Sequence, residues 1–417
     1  MKFLVACILV SAAIGAEARA EWPNHANNLP VWIAPGYQSY PTIVSDGAAG
    51  SIIVWNEGPG TRAHRILADG TFAWDSAAVV CSSCTQGLLT AVNDASGGAY
   101  ILSGRHNDLN GKTYVHHLSV DGAALWSVTE SSAVDPEIAA DGTGGALVVW
   151  ENYQTYSATG VNVFAQRFNE SGSLWRVNVS GDAPYGHELE PSVASDGSGG
   201  AFVAWEAAGI MVQRLSPLGA KEWQPYGVSL GTGRTPSIVA DPVGGAMVAW
   251  GSGTAPWVTL VRRVNSSGVP IGSGPIEVTP PMGFGHVLPA SDGGMILVGE
   301  ADISRPPYYD RVVAQRIQPD GQVLWADGVE IVVAESANLT YHAAPDGSGG
   351  VIVTYSDGDG VFNVYAQRLS ADGEKLWGEE GVVVSSAGAD QKNPAGMIPS
   401  GTNYAIVAWG DGRNDGG

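Results

Sequence analysis

Short apolar runs of four to six residues recur along the chain, and Gly-containing turns separate them. Two examples are 201–205 (Ala-Phe-Val-Ala-Trp) and 210–215 (Ile-Met-Val-Gln-Arg-Leu). Apolar runs of this length, bounded by Asp-Gly or Gly-Gly turns, are typical of β-hairpins. No segment combines a sustained 3.6-residue period with capping residues, so the pattern predicts strands and almost no helix.

The turns recur at regular intervals along nearly the whole chain. Eight Gly-Gly-like turns lie between Gly50 and Gly401, with spacings of 45 to 56 residues. We divide each repeat into four strands, A to D. A repeated four-stranded antiparallel unit of this length predicts an all-β fold, a β-propeller. Parallel β-helices use shorter coils, and tandem sandwich domains need about 100 residues each.

The two ends of the chain share one repeat. Seven complete units lie between Gln38 and Ser385, and an eighth begins at Asn393 and reaches strand B at 405–409. Residues 29–33 look like an isolated strand D, and no candidate for strand C remains. We predict seven complete blades plus an incomplete eighth shared by the two termini. The alternative is a seven-bladed ring with loose ends. We also expect the sequence to be truncated at its C-terminus.

Residues 1–20 have the features of a secretory signal peptide. Lys2 precedes an apolar stretch over 3–16, and Ala18 and Ala20 place small residues before a cleavage point. Residues 21–417 then form a single propeller domain. No later apolar run approaches the roughly 20 residues of a membrane span. We therefore expect a secreted protein, extracellular or at the cell surface, without a membrane span.

The charge composition limits the classes of partner that this protein can bind. The formal net charge is −21, from 20 basic and 41 acidic residues among 417. Phosphate backbones need a basic surface, so this charge argues against a nucleic-acid partner. An acidic surface suits cations and neutral or basic ligands.

The repeats resemble secreted bacterial repeat propellers that carry "YAQR" strands and "DGxxLW" turns. The resemblance lies in 163–168 (Val-Phe-Ala-Gln-Arg-Phe), 364–369 (Val-Tyr-Ala-Gln-Arg-Leu) and 372–377 (Asp-Gly-Glu-Lys-Leu-Trp). It covers about residues 29–417 and implies an extracellular or surface-associated propeller. It brings no catalytic motif to this chain.

Several recurrent residue types have structural explanations. Eleven of the 14 Trp residues fall at two repeat positions, the end of strand B and the start of strand D, where large aromatics fill the wedge between blades. An Arg recurs in strand C, and we expect it to fix the blade through hydrogen bonds. An Asp recurs before the A–B turn, where it can bond its own backbone.

The two cysteines of the mature chain stand close together. Cys81-Ser-Ser-Cys84 is predicted to form a local disulfide in an oxidising compartment. A redox-active pair is the alternative. Two thiolates alone do not complete a zinc site with four ligands.

Candidate ligand-binding residues lie in the variable B–C and D–A loops, which share one face with the mouth of the central channel. Residues just before strand A, among them Asp135 and Glu190, should line this rim. Aromatic and acidic side chains there suit sugars or a basic peptide. The candidates are Tyr153, Tyr156, Tyr185, His187, Glu188, Glu190, Trp257, Tyr308, Tyr309 and Asp310.

The favoured function is a non-catalytic, adhesin-like interaction module that binds a surface protein or a glycan, and we expect a monomer. A lectin is one alternative. A carbohydrate-active enzyme is the other, a glycoside hydrolase, sialidase-like enzyme or lyase, because Glu188 and Glu190 could supply two carboxylates. No motif requires a cofactor, although Asp357 and Asp359 could bind Ca²⁺, which prefers 6–8 oxygen ligands.

Overall fold

The computed structural model describes residues 4–9, 29–31, 38–84, 87–104, 112–154, 160–181, 186–252, 258–283, 285–301, 311–333, 339–358, 362–386, 391–399 and 405–411. All regular elements within these ranges are β-strands, and they form four-stranded antiparallel sheets. This part of the chain includes no helix with the length and apolar character needed to cross a bilayer.

Seven blades are each built from one contiguous segment, as the repeat predicts. The first blade contains β3 (Gln38–Ser45), β4 (Ser51–Glu57), β5 (Gly60–Ile66) and β6 (Ala78–Cys81). The second contains β7 (Leu88–Asn93), β8 (Ala99–Gly104), β9 (Lys112–Leu118) and β10 (Ala124–Ser131). The third contains β11 (Ala133–Ala140), β12 (Ala146–Asn152), β13 (Asn162–Asn169) and β14 (Gly172–Asn178).

The remaining four contiguous blades follow the same order. The fourth contains β15 (Leu189–Ser195), β16 (Ala201–Glu206), β17 (Ile210–Leu215) and β18 (Val228–Gly231). The fifth contains β19 (Arg234–Ala240), β20 (Ala246–Gly251), β21 (Thr259–Val264) and β22 (Ile276–Val278). The sixth contains β23 (His286–Pro289), β24 (Met295–Ala301), β25 (Arg311–Ile317) and β26 (Val329–Val333). The seventh contains β27 (Thr340–Pro345), β28 (Val351–Asp357), β29 (Asn363–Leu369) and β30 (Val382–Ser385).

The two chain ends combine in a further sheet between the first and seventh blades. Its order is β2 (Leu29–Pro30), β1 (Leu4–Leu9), β32 (Ala405–Asp411) and β31 (Gln391–Pro399). The A, B and D positions agree with the sequence-based assignment. The C position, for which the sequence offered no strand, is occupied by Leu4–Leu9, from the segment predicted to be the apolar part of a signal peptide.

Apolar side chains of neighbouring blades share clusters and form the core. The Trp residues that end strand B are at most 1% exposed, which confirms their predicted position between blades. In one such cluster Trp250 of the fifth blade packs with Phe202 and Val212 of the fourth. In another, Trp409 of the shared sheet packs with Ile352 and Trp377 of the seventh blade. The ring is therefore held together by apolar contacts between successive sheets.

The recurrent Asp and Arg form an ion pair inside most blades. Asp46 Oδ1 accepts backbone N–H bonds from Ala48 and Gly50, each at 2.8 Å, while its Oδ2 accepts from Arg65 Nε at 3.0 Å. The predicted roles of both residue types are thus confirmed. The same pairing occurs in four further blades: Arg167–Asp141, Arg214–Asp196, Arg263–Asp241 and Arg368–Asp346. In the sixth blade Arg316 pairs instead with Asp292, which lies two residues later in the turn.

In the first, third and sixth blades the strand C Arg and the strand D Trp also join the blade to the next one. Trp175 Nε1 and Arg167 Nη1 both donate to the carbonyl oxygen of Pro217 in the next C–D turn, each at 3.0 Å. In the first and sixth blades the same two donors meet on Val120 and Ala371. One carbonyl therefore receives two bonds from the preceding blade.

The second blade departs from this pattern. His117 replaces the Arg, and its Nε2 lies 3.0 Å from Asp94 Oδ2. The His117 ring stacks on Tyr100 with 4.4 Å between centroids. Because successive strand residues face opposite sides, the neighbouring His116 points the other way.

Candidate functional site

The second or third residue of strand A adopts an unusual backbone conformation in four blades. Tyr40, Asp135, Glu190 and Thr235 have φ between 44° and 51°, and each precedes a proline. The strand register shifts at each of these places, so each is a β-bulge. Non-Gly residues rarely adopt positive φ. The repeat thus places one bulged residue of each of these four blades at equivalent points around the channel mouth.

Three carboxylates meet at this rim between the third and fourth blades. Oxygen atoms of Asp135, Glu151 and Glu190 all lie within 4.8 Å of one another. Glu151 is buried at 3% exposure, whereas Glu190 is exposed. We call this group the rim carboxylate cluster.

Glu151 is fixed by hydrogen bonds on both oxygens. Its Oε1 accepts from the backbone N–H of Glu190 at 2.7 Å, and its Oε2 accepts from Tyr153 Oη at 3.2 Å. Burial raises the pKa of Glu151 to about 7, and the negative charges of Asp135 and Glu190 add to the effect, opposed by the hydrogen bonds. Glu151 is therefore partly protonated near neutral pH.

A second carboxylate joins the same two blades deeper along β11. Glu137 Oε2 accepts from the backbone N–H of Val193 at 3.3 Å. Removal from bulk water raises the pKa of Glu137 to about 7, against the opposing hydrogen bonds from Ser192 and Val193. Two acidic groups on this boundary consequently titrate near neutrality.

The place of Glu151 in the repeat explains its contact with the next blade. The residue that follows the strand B Trp makes an inter-blade bond elsewhere too. Asn56 Nδ2 donates to the Gly87 carbonyl at 3.3 Å, and Glu206 Oε2 accepts from Thr235 N at 3.4 Å. The setting differs, however, because Arg234 lies 3.8 Å from Glu206. The boundary between the third and fourth blades differs because the residue after the strand B Trp, Glu151, lies beside two other carboxylates.

The central channel holds a cavity of about 730 Å³. Two half-buried imidazoles, His286 and His342, stand side by side on its wall with 5.2 Å between ring centroids. Burial lowers the pKa of both, that of His342 to about 4 with a further contribution from His286. Both rings are neutral at pH 7. Other lining residues are Tyr40, Leu88, Thr90 and Met397.

The structure places some of the sequence-predicted site residues and leaves others outside its described ranges. Tyr153 and Glu190 meet at the rim carboxylate cluster. His187 is exposed, and its Nδ1 accepts from Val161 N at 3.3 Å. Glu188 is buried beside Ser180. The residues outside the described ranges are Tyr156, Tyr185, Trp257, Tyr308, Tyr309, Asp310 and Asp359.

Asp135 and Glu151 therefore join Glu190 at the rim, while Glu188 is buried beside Ser180. Sequence reasoning placed Asp135 on the rim but missed Glu151. A recurrent polar residue directly after the strand B Trp was the available signal, as Asn56 and Glu206 show.

The remaining predicted positions, Asp357 and the two cysteines, make contacts with residues close to them in sequence. Asp357 Oδ1 accepts from its neighbour Gly358 N at 2.9 Å, and calcium binding there stays a prediction. A disulfide joins Cys81 to Cys84 at the boundary of the first and second blades.

Comparison with protein-family models and with curated protein sequences gave no match. Solved structures gave distant likenesses. An ulvan lyase of polysaccharide lyase family PL25 is 12% identical, with a TM-score of 0.47, over 81% of this chain and 94% of that one. An α-L-arabinanase from Penicillium chrysogenum is 13% identical, with a TM-score of 0.37, over 72% and 94%. A protein of unknown function from Dyadobacter fermentans is 9% identical, with a TM-score of 0.43, over 98% and 99%.

At this degree of likeness the chemistry of this chain has to be argued from its own residues.

Proposed function

We propose that this protein is a secreted or cell-surface interaction module without catalytic activity, which binds a cationic segment of a partner protein at the channel mouth. The observation that carries the proposal is the convergence of Asp135, Glu151 and Glu190 from two neighbouring blades. The formal net charge of −21 favours the approach of such a partner.

The rim carboxylate cluster suits an ammonium or guanidinium group. Asp135 and Glu190 already raise the pKa of Glu151 through their negative charge. A ligand cation placed among these oxygens would act in the opposite sense and lower that pKa. Binding near pH 7 should therefore release a proton from Glu151.

The hydrogen bonds of Glu151 support binding rather than acid catalysis. A general acid must present its proton to the substrate. Both oxygens of Glu151 are engaged, one by the Glu190 backbone and one by Tyr153. Glu188, which the sequence paired with Glu190 as a catalytic candidate, is buried.

The test is titration calorimetry of the protein with oligolysine, oligoarginine and a neutral Gly-Ser peptide, with a glycan array in parallel, with and without calcium. We expect cationic peptides to bind with an affinity that falls as salt rises. The double variant Asp135→Asn, Glu190→Gln should weaken binding about 5–10-fold, since each partly exposed charge contributes up to about 1 kcal/mol.

Glu206→Gln is the matched control, because Glu206 occupies the equivalent connector position beside Arg234. It should leave binding unchanged. Proton release, measured as a dependence of the binding enthalpy on buffer ionisation, should disappear in Glu151→Gln. Binding confined to neutral glycans would overturn the proposal in favour of a lectin, and equal losses in the rim and control variants would place the ligand elsewhere.

A further inference from the structure

A cluster of two sulfurs and one imidazole lies at the boundary of the first and second blades. Cys81 ends β6 and Cys84 follows in the loop, while His116 belongs to β9 of the next blade. One ring nitrogen of His116 and both sulfur atoms lie within 4.8 Å of one another. Cys84 and His116 are buried, and Cys81 is half-exposed. A small reagent from solvent can therefore reach the pair through Cys81.

One ring nitrogen of His116 is available as a metal ligand. Its Nε2 lies 3.3 Å from Ser103 Oγ, and among the described residues its buried Nδ1 has no hydrogen-bond partner. Leaving a buried polar atom unsatisfied costs free energy, so such an atom needs an explanation. Burial also lowers the pKa of His116 to about 4, so the ring is neutral at pH 7. A neutral imidazole with one open nitrogen is the form that binds metals.

Most blades have Gln at the strand C position of His116, and the first blade has another imidazole there, His64. Four other blades have Gln at this strand C position: three of these amides donate to a backbone carbonyl, and Gln166 donates to Ser173 Oγ at 2.8 Å. Gln213 bonds Gln224, Gln315 bonds Trp325, and Gln367 bonds Gly378. In the second blade a His stands there instead and faces a cysteine pair. The substitution removes a structural amide and adds a third soft or borderline ligand.

We propose that the reduced protein binds one Zn²⁺ ion through the thiolates of Cys81 and Cys84 and an imidazole nitrogen of His116. Two sulfurs and one nitrogen are ligands that zinc prefers, and a water molecule would complete the tetrahedron. Thr61 Oγ1 lies 3.2 Å from Cys84 Sγ. Its hydroxyl proton, now donated to Asn56 Oδ1 at 3.1 Å, would turn to that thiolate on zinc binding, as outer groups do in metal sites. The disulfide would then be the metal-free, oxidised state of the same site.

An external dithiol transfers two electrons and two protons to the Cys81–Cys84 disulfide, which becomes two thiols while the dithiol becomes a disulfide. Zn²⁺ then replaces the two thiol protons, which pass to solvent. Neutral His116 loses no proton.

The experiment measures zinc binding to the full chain, reduced with a dithiol that is then removed without oxygen. A chromophoric chelator in competition gives the affinity, and unbuffered titration gives the protons released. We expect one Zn²⁺ per reduced chain, close to two protons released at a pH below the thiol pKa values, and no binding by the oxidised protein. His116→Gln should weaken zinc binding at least 30-fold.

His64→Gln is the matched control, since His64 is a buried imidazole at the equivalent strand C position of the first blade, packed on Phe72 and Trp74. It should bind zinc like the wild type. Thermal unfolding of each oxidised variant checks folding. If His116→Gln does not fold, X-ray absorption of the zinc-loaded wild type decides: a shell of two sulfurs with nitrogen from imidazole supports the site. A shell without imidazole, no stoichiometric zinc, or wild-type affinity in His116→Gln overturns it.

Discussion

Glu151→Gln isolates the electrostatic cost of a carboxylate at the rim. The amide oxygen of Gln can still accept from Glu190 N, and the amide NH₂ can donate to the Tyr153 hydroxyl, whose role in the bond then reverses. The substitution therefore keeps the shape and both contacts while removing one ionisable group from the cluster.

The magnitude and its sign follow from the pKa of Glu151. The pKa rises from 4.5 to about 7 on folding, which corresponds to about 3 kcal/mol between the protonated and ionised forms. Solvent at the channel mouth reduces this to about 1–2 kcal/mol. Because the folded pKa is the higher one, the stabilisation is fully present below pH 4.5 and is lost as pH rises through about 7.

The assay is urea denaturation of both proteins between pH 4.5 and 8. The Gln variant should gain about 1–2 kcal/mol relative to wild type across this range, with most of the gain complete above pH 7. Glu137 titrates in both proteins and cancels in the difference. Glu206→Gln, measured in parallel, reports the effect of the same substitution beside an arginine. A difference that is flat with pH, or that favours wild type as pH rises, would refute the reasoning.

Two further predictions concern the Asp–Arg ion pair within a blade and the Trp hydrogen bond to the next blade. Asp141→Ala removes a fully buried carboxylate from Arg167 and two turn amides, and should lower the unfolding free energy by about 3 kcal/mol in urea denaturation. The control Asp69→Ala, in an exposed turn, should leave the unfolding free energy nearly unchanged. Similar effects of the two substitutions would contradict the role of the ion pair. Trp175→Phe deletes one of two donors to the Pro217 carbonyl and should cost about 1 kcal/mol, since Arg167 still satisfies that oxygen; no loss on the same denaturation curves would show that the indole N–H contributes nothing.

The propeller could be predicted because its evidence is local and repeated. The turn spacing, the strand B Trp and the strand C Arg each recur within a short stretch, and each has one structural role in every blade that carries it. Repetition also separated these residues from candidate ligand-binding ones. The structure agrees with that division in the Trp packing and in the Asp–Arg pairs.

The site could be predicted only in part, because its contacts join residues about one repeat apart. Asp135 and Glu190 are 55 residues apart and meet since they hold equivalent positions in neighbouring blades. His116 reaches Cys81 across a blade boundary in the same way. Such pairs require the orientation of one blade against the next, which no local pattern contains. The third strand of the shared sheet was missed for a different reason: Leu4–Leu9 has the composition of a signal segment.

The two hydrogen bonds from Arg and Trp to one carbonyl oxygen of the next C–D turn separate the contacts between blades from the loops that could bind ligands. These bonds lie on the face opposite the B–C and D–A loops, because the A–B and C–D turns share that face. Loop length and content can therefore change without altering these bonds, although Asn56, Glu151 and Glu206 also bond to the next blade on the loop face. A loop exchanged from another propeller would leave these hydrogen bonds in place, so binding specificity at the channel mouth can change while the bonds between blades stay constant.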